Sequence, residues 1–158
     1  MNTTEKKMNI TMPSDTEVLM TRSFNAPRAV VYQCFTKCEH LKHWWGQELT
    51  HCEMDLRVGG KWKRVSKSPQ GQETPFEGEY KEIVPNELLS YTLIMGAGQY
   101  QQPALMETVM FNDDNGGTKI STIVKFPDKA LRDGAAPYME SGAGQAYELL
   151  EKHLESLK

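Results

Sequence analysis

Trp44-Trp45-Gly46-Gln47-Glu48-Leu49-Thr50-His51-Cys52-Glu53-Met54-Asp55-Leu56-Arg57-Val58-Gly59-Gly60-Lys61-Trp62 holds all three tryptophans of the chain. A glycine directly after two adjacent tryptophans predicts a helix closed by a left-handed cap. Cys52, Met54 and Leu56 alternate with polar residues and predict one face of a strand. Gly59-Gly60 then predicts a tight hairpin turn. A helix end and a hairpin are therefore expected to meet over one aromatic cluster.

Toward the N-terminus, Thr36-Lys37-Cys38-Glu39 fits a capping box for the short helix that carries Leu41, Trp44 and Trp45. Before it, Val30, Val31, Cys34, Phe35 and Cys38 recur at helical spacing, and Asn25-Ala26-Pro27 reads as that helix's start. Glu17 to Phe24 alternates, with Val18, Met20 and Phe24 on one face; Arg22 interrupts that face. Residues 1–15 are polar and lack the apolar core of a signal peptide, so they read as a mobile tail before one domain, 16–158.

Toward the C-terminus the period stays near two as far as residue 126. Ser68-Pro69-Gln70-Gly71, Pro85-Asn86 and Asp113-Asp114-Asn115-Gly116-Gly117 mark turns between short strands. Hairpin-length connections imply an antiparallel meander. A period of three to four then returns through Met139, Ala143, Ala146, Leu150 and Leu157, predicting a helix over residues 137–156 with Pro137 in its first turn. Its first half is built from Ser141, Gly142, Ala143, Gly144 and Ala146, residues small enough to leave space above a sheet.

Composition narrows the function classes. The formal net charge is −3 with no Lys/Arg block, which argues against nucleic acid as a partner. No apolar run reaches the roughly 20 residues of a membrane span. Cys34, Cys38 and Cys52 are few and odd in number for a disulfide framework, so a reducing cytoplasm is the expected compartment. Cys34, Cys38, His40, His43, His51 and Cys52 contain no CxxC or HxxxH pair, so no metal site is expected, and no cofactor. No nucleophile elbow appears, and Gly96-Ala97-Gly98 does not precede a helix start. Asp55 and Arg57 read as a surface pair contributing little.

The sequence resembles the helix-grip (START-like, SRPBCC) superfamily, and within it the branch of activator of heat-shock protein 90 ATPase homologues. The resemblance rests on Arg22-Ser23-Phe24-Asn25-Ala26-Pro27, Trp44-Trp45-Gly46, Asp55-Leu56-Arg57-Val58-Gly59-Gly60-Lys61-Trp62, Phe76-Glu77-Gly78-Glu79-Tyr80 and Gly117-Thr118. It implies an α+β helix-grip fold. A curved antiparallel sheet of six or seven strands would wrap the long C-terminal helix around an apolar cavity, with two short helices after the first strand. It implies no enzymatic motif.

Within that fold the cavity candidates are Trp45, Phe76, Tyr80, Tyr91, Leu93, Glu107, Val109, Tyr138, Met139 and Gly142. Glu107 enters because Val109 and Phe111 facing inward would send it inward too. The opposite register, with Met106, Thr108 and Met110 inward, would remove it. Glu107 and Arg22 could pair with each other, anchor a ligand, or reach water at a strand edge. The expected function is binding of a hydrophobic or aromatic small molecule, in stress response or regulation; the alternatives are a cyclase, dehydratase or hydrolase using the same space, and a chaperone-associated partner. A homodimer is kept open as well.

Overall fold

The computed structural model describes residues 7–158. Strands β1 (Asn9–Thr11), β2 (Glu17–Phe24), β3 (Glu48–Met54), β4 (Lys61–Lys67), β5 (Glu73–Val84), β6 (Leu88–Met95), β7 (Leu105–Asp114) and β8 (Gly117–Lys125) form one sheet in the order β1-β2-β8-β7-β6-β5-β4-β3. Every neighbouring pair is antiparallel. Eight strands exceed the expected six or seven because Asn9–Thr11 pairs with Leu19–Thr21 at the edge. That edge strand lies inside the expected tail 1–15, whose residues 1–6 fall outside the described ones.

Register decides which side chains face the concave side. Tyr91 stands opposite Glu107, Leu89 opposite Val109, Val109 opposite Thr122 and Phe111 opposite Ile120. Because alternate residues share a face, Leu105, Glu107, Val109 and Phe111 turn inward together, and the Met106–Met110 register is excluded.

Helices α1 (Arg28–Thr36), α2 (Cys38–Leu41) and α3 (Lys129–Ser156) complete the chain. Two expected helix starts are corrected. The N-cap of α1 is Pro27 itself, two residues after the Asn25 expected to cap a start at Asn25-Ala26-Pro27. No capping box forms at Thr36–Glu39: the Thr36 hydroxyl donates back to the Tyr32 carbonyl within α1, and Lys37 caps α2. A threonine at a helix end has this local backbone acceptor always in reach. Helix α2 stops at Leu41, and a chain of turns carries Trp44 and Trp45 to Gly46, whose φ of 101° is the left-handed conformation expected there.

The C-terminal helix begins eight residues before the expected Pro137. Its N-cap is Asp128, whose carboxylate accepts the Leu131 N–H at 2.9 Å. Pro137 lies inside the helix, where it removes one donor to the Asp133 carbonyl without ending the helix. At the other end Leu154 is buried and Leu157 is exposed, so the apolar stripe closes one turn earlier than expected.

The hairpin after Met54 is also tighter than its alternation suggests. Leu56 leaves the strand and is exposed, because the chain already turns at Asp55. Asp55 N–H donates to Lys61 O, and Gly60 N–H to Arg57 O. A Cβ on Gly60 would lie 2.0 Å from the Asp55 carbonyl oxygen, so only glycine fits there. Tyr80 and Gly59–Gly60 then exchange backbone hydrogen bonds at 2.9 Å, tying the turn to β5. Asp55 and Arg57 pair at 2.8 Å on the surface.

Two apolar clusters pack between sheet and α3. The larger joins Phe24, Phe35, Trp44, Val109, Phe111, Ile120, Tyr147, Leu150 and Leu154; the smaller joins Val18, Met20, Val124, Phe126 and Ala136. Ala143 of α3 packs against both. Cys38 and Cys52 form a disulfide, leaving Cys34 as the free, buried cysteine. This corrects the reading of the cysteines. The reversal between α2 and β3 brings two residues 14 apart in sequence to a Cα–Cα distance of 6.0 Å, within bridging range. The cysteine pattern therefore no longer argues for a reducing compartment.

Candidate functional site

Between the concave face and α3 lies a cavity of about 730 Å³. The sheet contributes Trp62, Arg64 and Ser66 from β4, Phe76 and Tyr80 from β5, Leu93 from β6, and Leu105, Glu107 and Val109 from β7. Helix α3 contributes Tyr138, Met139, Gly142, Ala143 and Ala146. Every candidate named from the sequence borders this space: Trp45, Phe76, Tyr80, Tyr91, Leu93, Glu107, Val109, Tyr138, Met139 and Gly142. They do not share one depth. Tyr80 and Val109 are buried, whereas Tyr138 is 81% exposed and stands at the rim with Gly142 and Met95. A Cβ on Gly142 would meet nothing within 4 Å, so the small-residue half of α3 does leave space there.

The tryptophans divide their work. Trp44 is in the core, tilted against Phe35 with ring centroids 4.7 Å apart, and its Nε1–H donates to the Cys34 carbonyl. Trp45 turns the other way, edge-on to Phe76 at 5.3 Å. Trp62 is 2% exposed and edge-on to Tyr91 at 5.7 Å. It fits because residue 78 is glycine: a Cβ there would lie 1.8 Å from the Thr92 carbonyl oxygen and 2.6 Å from Trp62 Nε1. Helix end and hairpin do meet, but through Arg64, whose guanidinium carbon lies 4.4 Å from the Trp62 ring centroid and 5.1 Å from that of Trp45.

The polar groups inside are few. Tyr91 Oη donates to Glu107 Oε2 at 2.6 Å, and Thr122 and Tyr147 share a hydroxyl hydrogen bond at 3.2 Å. Burial raises the Glu107 carboxyl above its ordinary pKa, against the opposing pull of the Tyr91 hydrogen bond and the Arg64 charge. Burial raises Tyr91 well above the usual phenol value, with the Glu107 charge and hydrogen bond adding to it. Burial likewise pushes Tyr147 up to about 12. Burial lowers Arg64, against the pull of Tyr91, Tyr80 and Glu107. A guanidinium stays protonated under any such shift.

The suggested Glu107–Arg22 pairing is corrected. Arg22 is 2% exposed and pairs with α3, at 3.0 Å to Glu151 and 3.9 Å to Glu148, with its guanidinium over Phe24. Neither residue sits at a wet strand edge: Arg22 is buried, and Glu107 opens onto the cavity. Arg64 was missing from the sequence-derived candidates. The signal for it was present, since the alternation that buries Trp62 also buries Arg64 and Ser66.

The residues weighed as metal ligands are dispersed by the disulfide, which takes Cys38 and Cys52, while His51 pairs with Glu53 on the surface at 2.7 Å. Cys34 and His40 instead gather with His153 of α3, their ligand atoms all within 4.8 Å of one another. His40 Nδ1 lies 3.0 Å from His153 Nε2, and His43 stacks on His153 at 4.6 Å. Burial pushes the Cys34 thiol up to about 11. Burial, followed by the neighbouring His43 and His40, lowers His153.

An antiparallel sheet curved around a long C-terminal helix, with two short helices near its start and a cavity under the helix, defines the helix-grip class of α+β proteins. The chain belongs to the family described as activator of Hsp90 ATPase homolog 1-like protein, whose model matches residues 25–155. Solved structures share the fold. A protein from Rhodobacter sphaeroides superposes with a TM-score of 0.88 at 23% identity, covering 96% of this chain and 100% of its own. Protein Ms6760 from Mycobacterium smegmatis gives 0.85 at 19% identity, covering 95% and 98%. A Staphylococcus epidermidis protein gives 0.75 at 22% identity, covering 99% and 96%. No curated protein matches the sequence. Among the described residues, no helix is long and apolar enough to cross a membrane.

Proposed function

We propose that the protein binds a small hydrophobic or aromatic molecule between the sheet and α3. The observation that carries this reading is the cavity of about 730 Å³ itself, lined by apolar and aromatic side chains around a few convergent polar groups. Ligand sites have this composition and a volume of roughly 300–1,000 Å³. Nothing in the core needs such a space, because close packing is the default of protein interiors.

The test uses N-phenyl-1-naphthylamine, a neutral aromatic dye that brightens in apolar surroundings. The native protein is expected to bind it at about one site per chain. Gly142→Leu puts a branched side chain into the open rim of the cavity and is expected to weaken that binding at least tenfold, while circular dichroism stays native. A variant that binds the dye as tightly as the parent overturns the assignment of the site.

Catalysis in the same space has one observation in its favour. Glu107, raised by burial and hydrogen-bonded to Tyr91 at 2.6 Å, is the kind of group that exchanges a proton with a bound molecule. Binding is the better-supported reading, because among the described residues Tyr91 is the acid–base group within hydrogen-bond reach of that carboxyl. A chaperone-associated role rests on the family description alone.

A further inference from the structure

We infer that the ligand is an organic anion, an apolar body carrying one carboxylate, sulfonate or phosphate group, and that Arg64 receives that group. This rests on the binding reading above.

Arg22, Arg64 and Arg132 are the buried arginines among the described residues. Arg22 meets Glu151 at 3.0 Å and the Ser23 carbonyl. Arg132 meets Asp133 at 2.9 Å and the carbonyls of Ser14 and Glu17. Arg64, only 7% exposed, meets no carboxylate or carbonyl oxygen among the described residues. Among the described residues its one polar contact is Nη2 to the Met54 sulfur at 3.5 Å, and its Nε meets no hydrogen-bond partner. A thioether is a weak acceptor. Leaving a buried guanidinium without an anion is costly, and buried charges are normally paired.

The surroundings explain what Arg64 is held for. The rings of Trp62 and Trp45 cover the guanidinium, which holds it in place and leaves its in-plane N–H donors for another partner. The one acid in the cavity, Glu107, accepts from Tyr91 and forms no ion pair with Arg64 within 4 Å. Leu93, Val109 and Met139 around the rest of the space offer nothing to a small inorganic ion. An amphipathic anion satisfies both parts at once, its head on the planar donor fork and its body against the apolar wall.

The experiment compares two dyes that share one ring system: the neutral N-phenyl-1-naphthylamine and its sulfonate, 8-anilinonaphthalene-1-sulfonate. The sulfonate is expected to bind the parent at least tenfold more tightly, the gain of a charge-assisted hydrogen bond. In Arg64→Met, which keeps an unbranched apolar stem and removes the guanidinium, that affinity ratio is expected to fall to about one. A parent ratio near one, or a ratio that survives in R64M, overturns the inference while leaving the cavity reading intact. Failure of both dyes to bind the parent overturns the cavity reading itself, and the inference with it. Should R64M not fold, a crystal structure of the parent with the sulfonate dye decides. Sulfonate oxygens on the Arg64 guanidinium support the inference, and a sulfonate directed out past Tyr138 overturns it.

Discussion

Glu107 shows how one residue's surroundings set its chemistry. Its neighbours across the sheet, Tyr91 and Val124, are fixed by register, so the carboxyl cannot leave the cavity without breaking the ladder. Because burial raises its pKa, the folded state holds the proton more tightly than the unfolded chain does. Such a group contributes stability that is full below the unfolded value, about 4.3 for Glu, and is lost as pH rises through the folded value. Glu107→Gln keeps the shape and the acceptor for Tyr91 but cannot ionise. The variant is therefore expected to unfold at a higher temperature than the parent at pH 7–8, with the gap closing as pH falls toward about 4. Melting curves across that range check it, and a variant less stable than the parent at pH 8 contradicts it. Only the strand pairing decided which way that face turns, but that Glu107 shares a face with Val109 and Phe111 was legible in the sequence. Its hydroxyl partner was not, because Tyr91 is 16 residues away and reaches it only across two paired strands.

At the scale of elements, the junction of α2, β3 and α3 is held by more than apolar contact. The Cys38–Cys52 disulfide closes a loop of about 15 residues, and on the chain-entropy account such a bridge is worth about 3 kcal/mol. The double substitution Cys38→Ser/Cys52→Ser is expected to lower unfolding stability by about that amount, read from urea midpoints at unchanged slope. Thiol titration of the unreduced protein in denaturant should find one free group, Cys34, rising to three after reduction. Three thiols before reduction would contradict the bridge. Element types were readable from local pattern, as in β2, whose bounds match its alternation from Glu17 to Phe24. Helix boundaries were less so. Pro137 looked like a start because proline favours the first turn, but Asp128 supplies a cap and Ala136 a buried contact one step earlier. The helix that carries Pro137 also buries Arg132, Ala136, Tyr147, Leu150 and Leu154, contacts that no local signal records.

At the scale of the whole molecule, α3 binds the two apolar clusters into one cooperative body. Ala143 touches both, Leu150 and Leu154 plug the larger, and Arg22 on β2 is paired to Glu151 of α3. Neither cluster can open while α3 stays in place, so far- and near-ultraviolet circular dichroism are expected to report a single coincident thermal transition. Two separated transitions would mean that the edge formed by β1, β2 and Phe126 unfolds independently.

The antiparallel meander, the C-terminal helix and its small-residue half follow from the sequence by itself. They depend on periods of two and 3.6 and on turn residues, which act between near neighbours along the chain. The tertiary structure alone decided which partners the buried charges and the cysteines find. Arg22 finds Glu151 across 129 positions, Cys38 finds Cys52 across a chain reversal, and Arg64 is left between Trp45 and Trp62 without an acid. Such pairings are set by distances that close only when the sheet curves over the helix, and no local pattern records them.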